Sequence, residues 1–460
     1  MSAHGLAAAR QKMVAAGVDT TAIEVFAHYY RLLERGETGM IPEETIEPIS
    51  MESLADTEIP DDVAAKAIAT TAVVKLNGGL GTSMGMARAK SLLCVRRGLS
   101  FLDVIARQVL HQRREYAAEL PLIFMNSFRT SADTRAALAR YDELPVEGLP
   151  LEFLQNKEPK LTADRLEPVS WPPEPDLEWC PPGHGDVFTA MRSTGLLQDL
   201  IDSGYRSVFV SNSDNLGAVP DARVAGWFVA SGAPFAIEAV RRTQSDKKGG
   251  HFARRKSDGR IVLRETAQTP GADRAALADL DRHRFCSTNN LWFDLVAMRD
   301  ALDERDGILG LPMIRNRKTV NPADPESPPV IQVETAMGAA IEVFDGARTI
   351  EVGRDRFVPV KTTNDLLLLR SDVYDLGRDF VLDRVADDLP YVDLSSPYKQ
   401  VAGFDDHFPQ GVPSMREAHS LVVDGDWFFG GGTRVVGAVT LAKGHGRVES
   451  GTVLDGSAER

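Results

Sequence analysis

Val73-Val74-Lys75-Leu76-Asn77-Gly78-Gly79-Leu80-Gly81-Thr82-Ser83-Met84-Gly85 is the stretch on which the fold of this chain turns. A short apolar run leads directly into a glycine-rich loop, the pattern of a strand that brings backbone N–H groups to a phosphate with no Cβ in the way. The spacing is G-x-G-x-x-x-G, with Lys90 five residues further on. No Gly-Lys-Ser/Thr follows, so this is not a Walker A loop, and Met84 stands where the dinucleotide fingerprint has its third glycine. The same residues also describe a tight strand-to-helix turn, and the loop alone leaves both readings open.

Around this loop, short apolar runs alternate with helical patterns: Ala72–Leu76, Phe101–Arg114, Leu122–Met125, Ser131–Tyr141, Leu151–Leu154, Thr194–Ser203 and Ser207–Ser211. That rhythm predicts an α/β layered domain continuing through Phe235–Val240 and Leu291–Leu302 to about Arg370. Glu158–Pro182 and Thr319–Pro329 are proline-rich and read as loops that shape a site. Upstream, Thr21-Ala22-Ile23-Glu24 has capping-box spacing, and Ile23, Phe26, Tyr30 and Leu33 follow at helical intervals until Gly36. A polar, proline-containing stretch then runs from Glu37 to Pro60.

Near the end the pattern changes. From about Ala418 a six-residue period sets in, with Gly425, Gly431 and Gly437 in one column, Val423, Phe429, Val435 and Leu441 in a second, and Leu421, Trp427, Thr433 and Val439 in a third. Hexad periodicity predicts a parallel β-helix; a pair of glycine-turn hairpins is the competing reading.

With 460 residues, 43% of them apolar and 26% charged, the chain has room for two or three domains and is neither disordered, collagen-like nor a coiled-coil rod. Its 52 Lys and Arg against 66 Asp and Glu leave a net charge of −14, which argues against a nucleic-acid or anionic-membrane binder. Cys94, Cys180 and Cys286 show no Cys-x-x-Cys spacing, so neither a disulfide framework nor a zinc knuckle is written here. Met1–Val18 lacks the apolar core of a signal peptide, and Val224–Ile237 is too short and interrupted to span a membrane. A cytoplasmic protein with no membrane partner is expected. Arg241–Arg260 carries eight Lys or Arg against two Asp; with Phe252 the one aromatic residue in the run, it reads as a solvated or phosphate-guiding loop rather than an RNA platform.

The Leu76–Thr82 run, followed by Met84-Gly85 and Lys90-Ser91, resembles the signature of the eukaryotic-type UTP–glucose-1-phosphate uridylyltransferase family, the UDP-glucose pyrophosphorylases. Further matching segments follow in order: Met125-Asn126-Ser127-Phe128, Gln155-Asn156-Lys157, Pro181–Asp186, Val210–Gly217, Thr288–Trp292 and Phe357–Lys361. The resemblance implies an α/β, Rossmann-like nucleotidyltransferase domain with a mixed central sheet and a C-terminal left-handed parallel β-helix. The expected division is a helical extension over 1–70, the catalytic domain over 71–385, and a linker with the β-helix over 386–460. The implied partners are UTP, glucose 1-phosphate, UDP-glucose and pyrophosphate, with Mg²⁺ as cofactor. Open β-helical edges also allow a homo-oligomer.

A sugar phosphate is mostly ionised at pH 7, so the implied reaction needs no general base; it needs cations and oriented donors that bring two polyanions together. The resemblance carries over Lys90 and Lys361 as the catalytic lysines and Asp214 as catalytic carboxylate and metal ligand. By local sequence alone each lysine reads as a solvated charge, and Asp214 equally as part of an Asx turn. Leu76, Asn77, Gly78, Gly79, Gln155, Gly183 and Asp214 are implied on the nucleotide, Gln155 offering an amide to the uracil edge. His184, Asn212, Gly250, Glu265, Asn289 and Asn290 are implied on the sugar phosphate. Ser287-Thr288-Asn289-Asn290 departs from the family's Asn-Thr-Asn-Asn at its first position. A UDP-sugar or UDP-N-acetylhexosamine pyrophosphorylase and a catalytically silent sugar-nucleotide-binding scaffold are the alternatives.

Overall fold

The structure, a computed structural model, describes residues 2–456. Its central sheet has eight strands: β1 (Glu52–Ser53), β2 (Thr71–Asn77), β3 (Leu122–Asn126), β4 (Glu152–Leu154), β5 (Ser207–Asn212), β6 (Phe235–Arg241), β7 (Phe285–Asp294) and β8 (Arg348–Glu351). The spatial order is β1-β8-β6-β7-β5-β2-β3-β4. Neighbours are parallel except at β7, which runs antiparallel to both β5 and β6. The mixed sheet is therefore confirmed.

Side chains alternate across this sheet with the period of two that a strand imposes. Val73, Phe124, Phe209, Ala236 and Trp292 face the helices Asp61–Ala69, Phe101–Tyr116 and Ala222–Ser231. Val74, Ile123, Val208, Val210, Ile237 and Phe293 face Asp186–Ser193, Leu196–Asp202 and Leu295–Asp303. Both faces are covered, which is why the strands read as near-continuous apolar runs. The predicted run Leu291–Leu302 divides at Asp294, whose side chain caps the following helix by accepting from Ala297 N at 2.8 Å.

The amino-terminal helix Thr20–Glu34 forms as its apolar spacing predicts, burying Ile23, Phe26, Tyr30 and Leu33 against Leu161, Met313 and Val333. Its cap is Asp19, which accepts from Thr21 N at 2.7 Å, rather than Thr21. A preceding helix, Ser2–Ala15, lacks an apolar stripe that sequence reading would find.

At the other end β9 (Tyr391–Leu394), β10 (Ser414–Phe429), β11 (Arg434–Val448) and β12 (Val453–Asp455) form a sheet in that order, every pair parallel. Parallel pairing rules out the hairpin alternative, since hairpins join antiparallel strands. Leu421 lies opposite Val439 and Val423 opposite Leu441, partners eighteen residues or three hexads apart. Leu421, Val423, Phe429 and Val435 are buried in one apolar cluster that continues through Tyr398 and Leu366 to the helix Phe101–Tyr116. The tail thus shares a core with the central sheet. No helix among the described residues is long and apolar enough to cross a membrane.

Candidate active site

β2, β3, β4 and β5 run parallel and end at one edge of the sheet, where ligands of open α/β folds gather. Beyond their carboxyl ends lies an open cleft of about 320 Å³ lined by Leu76, Gly78, Gly79, Lys90, Met125, Gln155, Pro181, Gly183, His184, Asn212, Ser213 and Asp214. Residues separated by more than a hundred positions therefore meet in one place. β7 joins them because it runs the other way: its amino-terminal half, Ser287–Asn290, reaches the same edge and puts Asn289 Nδ2 3.3 Å from Asn212 Oδ1.

Gly183 is needed for close approach to backbone, whereas at Gly78 an added Cβ would meet only the end of the Gln155 side chain. A Cβ on Gly78 would lie 2.8 Å from Gln155 Nε2, and one on Gly183 would lie 2.5 Å from Thr335 O, where φ is +83°. Gln155 has its backbone held by Asn126 O at 2.8 Å, while its side-chain amide makes no hydrogen bond among the described residues and lines the cleft. The Pro181–Gly185 loop is fastened to the end of the strand Pro329–Thr335: Thr335 N donates to Pro182 O, and Gly185 N to Thr335 O, each at 2.9 Å. Met337 N donates to His184 Nδ1 at 3.1 Å, so the neutral ring carries its proton on Nε2 as a donor. The ring opens to the cleft, but loss of bulk water around it lowers its pKa and disfavours the imidazolium.

Lys90 and Asp214 form an ion pair with Nζ 2.7 Å from Oδ2, in side chains only 17% and 24% exposed. Lys90 Nζ also donates to Val360 O, and Val360 N donates to Asp214 O at 3.1 Å. Asn215 and Pro359 form a further β-bridge. The segment Phe357–Lys361 is thereby stitched to the turn after β5, which brings Lys361 to the site's edge. Lys361 is exposed; its N–H donates to Asp365 Oδ2 at 2.8 Å and its ammonium has no hydrogen-bond partner among the described residues. Burial pushes the Glu265 carboxyl up, opposed by the Lys361 charge. A Cβ on Gly250 would lie 2.7 Å from Glu265 Oε2. Gly250 and Glu265 thus lie against each other.

Two of the residues implied from sequence have their side chains turned away from the cleft. Asn77 does not present its side chain to the cleft: its Nδ2 donates to Asn126 Oδ1 at 2.8 Å and to Thr134 Oγ1 at 2.9 Å, and its Oδ1 accepts from Ser213 Oγ at 3.0 Å. Asn290 is fully buried, donating to Glu238 Oε2 at 3.0 Å and accepting from Asn215 at 3.4 Å. The physical reason is the strand alternation: of the adjacent pair, Asn289 faces the site and Asn290 faces the core. Ser287, the departure from the family pattern, accepts from Asn289 N at 3.0 Å and helps hold Asn289 at φ +60°.

One buried lysine, in the strand that leads into the glycine loop, has no role assigned from sequence. Lys75 is 1% exposed, donating to Ser211 Oγ at 2.7 Å and Ala218 O at 2.6 Å; burial and the nearby Arg356 charge push its pKa down to about 7. A lysine inside an otherwise apolar strand was the available signal. The basic run is largely spent on structure: Arg241 pairs with Glu351, Arg242 donates to backbone carbonyls of the Asp246–Gly249 loop, Arg255 pairs with Glu342 and Arg260 with Asp345. Lys247 and Lys248, beside Gly249–Gly250, make no such pair among the described residues.

Asp186 braces the segment that follows Gln155, accepting from Asn156 N at 2.6 Å and Asn156 Nδ2 at 2.9 Å. Burial raises its pKa from 3.8 to about 7. A carboxyl raised in the folded state binds its proton more tightly there than when unfolded, so stability falls as pH rises from about 4 to about 7. Asp186→Asn lacks that titration. Urea denaturation is expected to show the variant gaining on the parent by on the order of a few kcal/mol across this window; a stability gap independent of pH would contradict the raised pKa.

Comparison with known proteins places these features in context. The family whose model matches is described as UTP–glucose-1-phosphate uridylyltransferase, and the match spans residues 23–435. A UTP–glucose-1-phosphate uridylyltransferase of Musa acuminata is 38% identical over 405 residues, covering 86% of this chain and 84% of the relative. A probable UTP–glucose-1-phosphate uridylyltransferase of Schizosaccharomyces pombe is 37% identical over 391 residues, covering 84% and 76%. Among solved structures, an L281D mutant of UDP-glucose pyrophosphorylase from Leishmania major in complex with UDP-glucose superposes with a TM-score of 0.92 at 42% identity, covering 99% of this chain and 98% of that one. A Trypanosoma brucei structure described as UDP-glucose phosphorylase gives 0.91 at 41% identity, covering 98% of both.

Proposed function

The chain belongs to the UTP–glucose-1-phosphate uridylyltransferase family, and from that premise we propose how its cleft carries out the reaction. It is a nucleotidyltransferase that transfers UMP from UTP to glucose 1-phosphate, yielding UDP-glucose and pyrophosphate. A phosphate oxygen of glucose 1-phosphate attacks the α-phosphorus of UTP; the bond from that phosphorus to the oxygen bridging to the β-phosphorus breaks, and pyrophosphate leaves. The step is reversible, and it requires no proton transfer from the protein.

The observation that carries this reading is the convergence on one sheet edge of a free Gln155 amide, the Gly78–Gly79 loop, the Lys90–Asp214 pair and the stitched segment bearing Lys361. Gln155 and the backbone at Gly183 take the uracil, and Leu76 and the glycine loop take the ribose and phosphates. Lys90 offsets charge on the triphosphate and Lys361 on the phosphates being joined. His184 donates from Nε2 to the sugar phosphate; Asn212, Asn289, Gly250 and Glu265 take the hexose hydroxyls.

A divalent metal fits the donor set. Asp214 Oδ2 receives Lys90, while Oδ1 has no hydrogen-bond partner among the described residues, and these include no cluster of three His, Cys, Asp or Glu that would cage an ion. One carboxylate plus substrate phosphate oxygens is the pattern Mg²⁺ takes, so Asp214 would hold Mg²⁺ together with UTP. When bound, the ion supplies positive charge against the phosphates. The all-parallel pairing, the eighteen-residue offset over Ser420–Val423 and the buried hexad columns support a left-handed parallel β-helix over the tail, with segments 1–70, 71–385 and 386–460 as the working division. The free cysteines fit a cytoplasmic setting, and the outer strands β9 and β12 leave edges through which copies can associate.

Pyrophosphate release with UTP and Mg²⁺ tests the reading directly. Glucose 1-phosphate is expected to be used in strong preference to galactose 1-phosphate and N-acetylglucosamine 1-phosphate, with no release when metal is withheld. Equal use of several sugars would shift the assignment to a broad UDP-sugar pyrophosphorylase, and UDP-glucose binding without turnover to a scaffold.

A further inference from the structure

Beneath the site, on the side of the sheet away from the cleft, lies a buried charge pair that substrate does not reach. Glu238 of β6 is fully buried and Arg356 is 7% exposed. The guanidinium meets the carboxylate as a fork, Nε to Oε2 and NH2 to Oε1, both at 2.6 Å. Trp292 Nε1 adds a donor to Oε1 at 2.9 Å and Asn290 Nδ2 one to Oε2 at 3.0 Å, so the carboxylate accepts four hydrogen bonds. Asp221, 3.7 Å from Arg356 NH1, is the next acidic group.

Such a pair is a poor source of stability, because desolvating two charges offsets their attraction and apolar residues of similar volume serve as well. What the fork supplies that apolar residues cannot is a fixed direction and register. Arg356 stands five residues before Lys361, and the chain between them is gripped almost residue by residue. Asn215 Nδ2 donates to Arg356 O at 3.1 Å, and Asn215 Oδ1 accepts from Val358 N at 2.8 Å, so a single amide clamps both sides of Phe357. Asn215 Oδ1 also accepts from Gly217 N at 3.2 Å, and a Cβ on Gly217 would lie 2.2 Å from Asp355 O. Further along, Val360 is held through its N–H by Asp214 O and through its carbonyl by Lys90.

We infer that Glu238, Arg356 and Asn215 form a buried bracket that sets the register of Lys361 against the Lys90–Asp214 pair, making them positioning residues for uridylyl transfer. The inference rests on the reading that Lys361 acts in the transfer. The bracket joins β6, the turn after β5 and the Lys361 segment, three elements that no local sequence ties together. An extended segment that slipped by one residue would turn the Lys361 side chain to the opposite face. A fixed fork at one end and an amide clamp in the middle prevent that slip.

The test separates positioning from stability. Glu238→Met combined with Arg356→Met removes both charges while keeping volume, and is expected to stay folded by thermal unfolding. Its kcat is expected to fall roughly 10²-fold, the scale on which about an ångström of misplacement acts, with the KM for UTP within about threefold of the parent. Lys361→Ala placed on that background is expected to bring the loss to within about threefold of that of Lys361→Ala alone, because the two changes disable one device. A folded Met pair with near-parental kcat, or losses that multiply fully with Lys361→Ala, would overturn the bracket. Should the Met pair not fold, Asn215→Ala removes the clamp without stranding a charge, and the same two outcomes decide. If Lys361→Ala alone retains parental turnover, it is the role of Lys361 that fails, a result visible before the bracket is altered.

Discussion

Lys361→Ala is expected to lower kcat by about 10²–10³-fold, the range for removing one preorganised group that meets developing charge, with thermal unfolding almost unchanged. The side chain is exposed and makes no hydrogen bond among the described residues, so its removal leaves no cavity and no orphaned partner. What holds the backbone survives the substitution: the residue's N–H still donates to Asp365 Oδ2, and Val360 remains bound to Asp214 and Lys90. The loss should therefore fall on turnover rather than on folding. Because Lys90 and the glycine loop remain, the KM for UTP should move little. Steady-state kinetics beside a melting curve checks both halves, and near-normal turnover would remove Lys361 from the mechanism.

Asp214→Asn should lower turnover by at least about 10²-fold and raise the Mg²⁺ concentration needed for half-maximal rate. The amide is nearly isosteric, and the main-chain carbonyl of residue 214 still accepts from Val360 N, so the turn after β5 should keep its shape. Charge is what changes. Lys90 loses the carboxylate 2.7 Å away and keeps Val360 O, which frees its ammonium for the triphosphate. The KM for UTP is accordingly expected to stay level or fall while kcat drops. Initial rates over a Mg²⁺ titration decide the matter, and a parental Mg²⁺ curve would dismiss Asp214 as the metal's carboxylate.

These two residues also show where sequence reading succeeds and where it stops. Lys361 and Asp214 stand in motifs whose order along the chain resembles one family, and the structure brings both to the edge where four parallel strands end. Asn289 and Asn290 are adjacent and chemically identical, yet one reaches Asn212 at the site and the other disappears beneath Glu238 and Arg356. Composition and spacing cannot separate them, because which face a strand residue takes depends on the partners on either side. The same limit applies to β7. Its apolar run is legible, but the direction in which it pairs with β5 and β6 is a property of the sheet.

By itself the sequence determined the strand-to-glycine-loop entry, the layered α/β order and the hexad pattern of the tail. These are local signals, carried by periodicities of two, 3.6 and six residues and by glycines where a Cβ would collide. Only the tertiary structure decided that β7 reverses, that Asn77 and Asn290 turn inward, that Lys75 is buried, and that Glu238 meets Arg356 across 118 positions. The reason is that such contacts gain their energy from desolvation and fixed geometry between distant segments, and neither exists until the sheet has assembled.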